Sequence, residues 1–170
     1  MREALQRQFE LAWALAEVHL SALGVDDFLW QPVPLCWTVH RGDDGVWRAD
    51  FADVEPDPVP VPTIAWLTWH IEFWWSAAIA ALTGGQIRGP SQVAWAGDGP
   101  AAVARLRALA ERWRELLAEL TDGDLGAPAT FPWGADAGRT VADTALWVTV
   151  ELTKNAAEIG QLRLLRAARQ

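Results

Sequence analysis

The stretch Thr63-Ile64-Ala65-Trp66-Leu67-Thr68-Trp69-His70-Ile71 opens an apolar run that continues to Leu82 and decides how this chain folds. A run of this length can span a bilayer as a helix. His70 and Glu72 stand near its middle, however, and a carboxylate facing lipid at that depth is costly. A helix buried inside a bundle is the cheaper solution. On a helical projection His70 falls with Trp66, Phe73, Trp74 and Ala77, so it points toward an apolar interior. Pro62 can occupy the first turn, where a missing N–H costs nothing, and Gly84-Gly85 supplies the stop.

Three further helices follow from the same rules. Upstream, Arg2 to Leu23 repeats Leu5, Phe9, Ala12, Trp13, Ala16 and Leu20 at spacings of three and four, with Gly24 as the expected C-cap. Downstream, a helix is predicted after Asp98-Gly99-Pro100 to about Leu120, stopped by Thr121-Asp122-Gly123. Asp124 to Gly138 reads as a loop. Thr140-Val141-Ala142-Asp143 then reads as a capping box with Asp for Glu, opening a last helix to about Ala168. Val25 to Val61 differs, because Pro32, Pro34, Pro56, Pro58 and Pro60 exclude a long helix. Within it, Cys36–His40 and Val46–Phe51 flank an Asp-Asp-Gly turn at 43–45, the pattern of a small hairpin. The expected fold is therefore all-α, a four-helix bundle with a long loop or small hairpin between the first two helices.

The 170 residues suit one domain, 1–170, and 51% hydrophobic content is enough for a full core. A formal net charge of -8 argues against nucleic acid as a partner, because phosphate binding needs a field of Lys and Arg. No membrane association is expected. The single cysteine, Cys36, excludes an internal disulfide framework and fits a cytoplasmic location, as does an N-terminus without the apolar core of a signal peptide. Twelve Trp and no Tyr point to a heavy core or to pocket walls for a flat or apolar ligand.

The second-helix stretch Thr63–Ile71 resembles the first-histidine helix of DinB/YfiT-like proteins. Asp27-Phe28-Leu29-Trp30-Gln31-Pro32, Cys36-Trp37-Thr38-Val39 and Asp44-Gly45-Val46-Trp47 are similar to an actinobacterial-type branch. Glu158-Ile159-Gly160-Gln161-Leu162 is similar to the segment closing that family's metal motif. The resemblance implies a bundle holding a divalent metal, commonly zinc or nickel, on one histidine of the second helix and two of the last. It also implies S-transferase or isomerase chemistry with a low-molecular-weight thiol. Carried onto this chain, the ligand positions are His70, Lys154 and Glu158. Glu158 can ligate a divalent ion. Lys154 cannot at neutral pH, since an ammonium has no lone pair, and the amide of neighbouring Asn155 is a poor substitute for imidazole. The three-histidine site is absent.

Two arrangements are open for these residues. Lys154 could stand where the cation would be, paired with Glu158, so that the pocket survives as a metal-free polar cluster. Alternatively His70 and Glu158 hold a weakened metal with help from Glu151 or His40. Glu151, Lys154, Glu158 and Gln161 form one polar stripe, which could equally be a solvated face. Trp66 and Trp74 are the expected pocket neighbours of His70. Cys36 and His40 are close enough for a thiol–imidazole pair, although a loop cysteine among aromatics is usually inert, and His19 reads as a boundary residue. No phosphate-binding glycine loop or nucleophile elbow is present. The functional expectation is a metal- and thiol-dependent transferase with an altered site, or a bundle that binds a small molecule without chemistry. A homodimer is a further expectation.

Overall fold

The face formed by Leu5, Phe9, Ala12, Trp13, Ala16 and Leu20 is the buried face of α1 (Arg2–Leu20) in the computed structural model, which describes residues 1–169. Gln170, the last residue of the expected domain, lies outside the described residues. α1 ends at Ser21, whose N–H reaches the Glu17 carbonyl, so Gly24 is not its cap. Gly24 instead begins a 3-10 turn at Val25–Asp27, donating its N–H to the Asp27 carboxylate at 2.7 Å.

α2 runs from Ile64 to Thr83. Its N-cap is Thr63, whose hydroxyl accepts from Trp66 N–H at 3.2 Å, and Pro62 lies just outside the helix rather than in its first turn. A Thr hydroxyl can satisfy an orphan N–H, and the proline ring cannot, which explains the shift. Gly84 closes α2 in the left-handed region at φ 71°, as its lack of a side chain allows. α3 (Gly99–Glu119) starts behind Asp98, whose carboxylate accepts from Ala101 N–H. A one-turn α4 (Asp122–Gly126) lies where a helix stop and a loop were expected. Its cap is a Thr121/Asp124 box, a local signal hidden by the glycine at 123. α5 (Val141–Ala167) begins at the Thr140/Asp143 box read in the sequence.

Ion pairs and hydrogen bonds set the helix directions. Arg114 with Glu10 and Arg107 with Glu17 hold α3 antiparallel to α1. Arg105 with Glu72, and Trp69 Nε1 donating to the carbonyl of Val93 just before α3, make α2 and α3 parallel. Trp74 Nε1 donates to Asn155 Oδ1, consistent with α5 running opposite to α2. Near the far end, α5 lies so close to α1 that a Cβ at Gly160 would sit 2.5 Å from His19 Nε2, which places His19 at the boundary between helices. The bundle is thus up–down–down–up, with α1 and α5 parallel on one side and α2 and α3 parallel on the other. One contiguous hydrophobic core runs through it from Leu5 to Leu162. Among the described residues, no helix is long and apolar enough to cross a membrane.

The long segment between α1 and α2 folds back over α2. β2 (Val39–Arg41) and β3 (Trp47–Ala49) form the expected hairpin, shorter than its flanking sequence. β1 (Cys36–Trp37) pairs in parallel with β4 (Val61–Pro62), a contact between loop ends that no local pattern announces. A last short pair, β5 (Pro128–Ala129) with β6 (Arg139–Thr140), precedes α5. Two orphan N–H groups next to α2 are used as anchors: Ala65 donates to Phe28 C=O at 2.8 Å and Thr63 to Trp37 C=O at 2.9 Å. Trp66 Nε1 adds a bond to Asp50 C=O at 2.7 Å. The loop is therefore fastened as a roof at the N-terminal end of α2.

Candidate functional site

Beneath this roof, α2, α5 and the loop enclose a cavity of about 390 Å³. α2 contributes Trp66 and His70, one turn apart, and α5 contributes Lys154, Asn155 and Glu158. His70, Lys154 and Glu158, the three positions carried onto this sequence, thus line one cavity. Trp74 stands behind the wall, donating Nε1–H to Asn155 Oδ1 at 3.1 Å. Trp37, Phe51, Asp53 and Glu55 are among the residues that line it from the loop. Sequence reading missed these four as site residues, because aperiodic loop residues carry no signal of what they face; only the Trp content hinted at aromatic walls.

Three rings stack along one wall: Trp37 on Trp66 at 4.9 Å and 20°, and Trp66 on His70 at 4.7 Å and 12°. Burial beneath this stack disfavours the charged imidazole, and the nearby Lys154 ammonium adds to the effect, so the His70 pKa falls to about 4. His70 Nδ1 is buried and has no hydrogen-bond partner among the described residues. Neutral His70 is the state at physiological pH.

Asn155, almost fully buried at 1% exposure, is the polar hub of α5. Its carbonyl oxygen accepts from Trp74, and its NH₂ group donates to Glu158 Oε2 at 2.8 Å. A buried amide with both ends satisfied holds one orientation, and so fixes the Glu158 carboxylate. Lys154 does not pair with Glu158, as a simple i+4 reading expects. Its Nζ lies 2.7 Å from Glu151 one turn earlier, because Asn155 already holds Glu158. Glu151 is thus occupied and is not among the lining residues, and His40 is bound to Asp50 at 3.0 Å, away from the cavity. Cys36 donates its thiol to Val33 C=O, so Cys36 and His40 do not form a pair. The polar stripe of α5 is divided: Lys154 and Glu158 line the cavity, and Gln161 lines a neighbouring one.

The donor set does not fit a resident divalent metal of the three-ligand kind. Of the polar groups on α2 and α5 that line the cavity, Lys154 has no lone pair as an ammonium, and Asn155 Oδ1 is engaged by Trp74. His70 and Glu158 remain, and among the described residues no group of three or more His, Cys, Asp and Glu is placed to hold an ion.

The depressed pKa of His70 has a consequence for stability. Its pKa is about 4 in the folded chain and near 6.5 when unfolded, so between these values the unfolded state binds the extra proton. Stability from this group is complete above about pH 6.5 and is lost as pH falls toward 4, by roughly 2–3 kcal/mol. Urea unfolding of the wild type and His70→Asn across that window should show a stability difference that changes with pH, on top of the slope that the partnered carboxylates Glu17, Asp44, Asp124 and Asp143 give to both proteins. A constant difference between the two would contradict this account.

The family model of the DinB superfamily matches residues 8–159. No curated protein matches the sequence. Among solved structures, a conserved protein from Enterococcus faecalis superposes with a TM-score of 0.67 at 12% identity, covering 97% of this chain and 96% of that one. At that identity the likeness concerns the fold alone. The match from residue 8 to residue 159 takes in α2, the loop roof and the α5 face of the cavity, and on it the chain belongs to the DinB superfamily.

Proposed function

We propose that this DinB chain binds a small molecule in the roofed cavity, without a resident three-ligand metal, and that the ligand has an aromatic or apolar body and a basic end. The observation that carries the reading is the convergence of His70, Lys154, Asn155 and Glu158 on one cavity behind a Trp37–Trp66 wall. The charge balance selects the ligand class. Three carboxylates, Asp53, Glu55 and Glu158, line the cavity, while its one ammonium is held by Glu151 and His70 is neutral. Glu158 Oε2 is taken by Asn155 and its Oε1 has no hydrogen bond among the described residues, leaving an acceptor for an amine. The indole faces favour a cation or a flat ring.

Tryptophan fluorescence reads this site directly, since Trp37 and Trp66 line it. Titration with phenethylamine should saturate, phenylacetate should bind more weakly, and Glu158→Gln should weaken the amine roughly tenfold, the scale of one charge-assisted hydrogen bond. Tighter binding of phenylacetate, or no saturable response to either, would overturn the proposal. The second reading, a metal- and thiol-dependent transferase, is supported by His70 and Glu158, which can offer two donors to an ion completed by substrate. An N-acetylcysteine response that appears only with added zinc would favour it.

A further inference from the structure

A second cavity, of about 330 Å³, opens beside the roofed one. β4 supplies Val61 and Pro62 to its lining, and α5 supplies Ala157, Glu158, Gln161 and Leu162. On α5 these positions recur at spacings of one and four, so they share one face over two successive turns. The small side chain of Ala157 leaves room on that face. Opposite it, β4 is fixed: Val61 N–H donates to the Leu35 carbonyl at 3.1 Å, and Thr63 N–H to the Trp37 carbonyl at 2.9 Å. A helix and a pinned strand therefore hold the two walls apart, and the space between them is preformed.

Two properties tie this side chamber to the ligand cavity. Pro62 and Glu158 line both, so the two spaces meet at the Glu158 carboxylate. The chemistry changes at that line. The roofed cavity carries Asp53, Glu55, Lys154 and His70 besides Glu158, whereas Glu158 is the one ionisable group lining the side chamber. The rest is apolar, apart from the neutral amide of Gln161. A charged ligand end placed there would find no partner beyond Glu158, and methylene groups would find apolar walls. Glu158 itself is held at the boundary, because Asn155 donates to its Oε2 at 2.8 Å.

We infer that the side chamber is a second subsite for an uncharged aliphatic arm, and that the ligand is therefore a secondary amine. Its ammonium sits on Glu158, with the aromatic arm against Trp37 and Trp66 and the aliphatic arm against Val61, Ala157 and Leu162. This rests on the amine reading above and narrows it. A primary amine has one carbon substituent and fills one space. A secondary ammonium has two, and keeps two N–H donors for the carboxylate. Each cavity alone is near the lower end of small-molecule sites, which run from roughly 300 to 1,000 Å³, and the two joined fall well inside that range.

Tryptophan fluorescence titration of the full chain with phenethylamine and with N-butylphenethylamine gives the ratio of their Kd values. The butyl compound should bind roughly tenfold more tightly, less than full burial of its added carbons would give, because the chamber is open on one side. Ala157→Phe, at an exposed position that the fold tolerates, fills the chamber and should bring the ratio to about one. Gln161→Leu extends the apolar wall and should raise the ratio about twofold. Thr153→Leu, one turn outside the chamber, should keep the wild-type ratio. Saturable phenethylamine binding with a wild-type ratio of about one, or a tenfold ratio that both Ala157→Phe and Gln161→Leu leave intact, would overturn this inference while the amine reading stands. No saturable response to phenethylamine would overturn both.

Discussion

Lys154→His is expected to raise affinity for zinc or nickel by roughly two orders of magnitude, the scale of adding one imidazole donor to a two-donor site. Position 154 lies one turn from Glu158 on α5, and both line the cavity that His70 reaches from α2. The substitution exchanges a group with donors only for one with a lone pair, and completes a His, His, carboxylate set. What it removes is a half-exposed ion pair with Glu151, a loss of no more than about 1 kcal/mol, so the fold should persist. Competition against a fluorescent chelator, on metal-free wild type and variant, measures the change. Adding His70→Ala to the variant should abolish the gain. A folded Lys154→His protein that binds metal no better than the wild type would show that these positions do not converge on one ion.

Trp75→Ala should cost about 3–5 kcal/mol and lower the melting temperature by roughly 8–15 °C. Trp75 is fully buried where α1 meets α2, with its ring 5.8 Å from Phe9, 6.0 Å from Trp13 and 5.7 Å from Trp74. Removing the indole leaves a cavity that these rings cannot close. Trp75→Phe separates packing from hydrogen bonding, because Trp75 Nε1 has no partner among the described residues and phenylalanine deletes that unsatisfied donor. Its cost should be less than half that of alanine. Trp74→Phe provides the contrast, since it leaves Asn155 Oδ1 without its donor and loosens the carboxylate of Glu158. Equal losses for alanine and phenylalanine at position 75 would mean that ring packing is not what stabilises this layer.

The elements that sequence reading located share one property: their signals are local. The periodic apolar face of α1, the Thr140/Asp143 box and the left-handed Gly84 each depend on residues within one or two turns. Where the reading slipped, a competing local partner decided the outcome. Ser21 capped α1 before Gly24 could, and Thr63 replaced Pro62 as the start of α2. The family resemblance extended this reach by nominating His70, Lys154 and Glu158, which lie together on the cavity.

Sequence alone determined the four long helices, the all-α class, the missing histidines and the identity of the three nominated positions. Tertiary structure decided what those side chains do. Lys154 on α5 can reach Glu151 or Glu158, and helical spacing treats the two as near equals. The choice was made by Asn155, which Trp74 orients from α2 and which then occupies Glu158. The loop residues Trp37, Phe51, Asp53 and Glu55 became cavity walls only because β1 pairs with β4 and Trp66 holds Asp50. Periodicity and caps are encoded between near neighbours, whereas partner choice and desolvation depend on groups far apart in the chain.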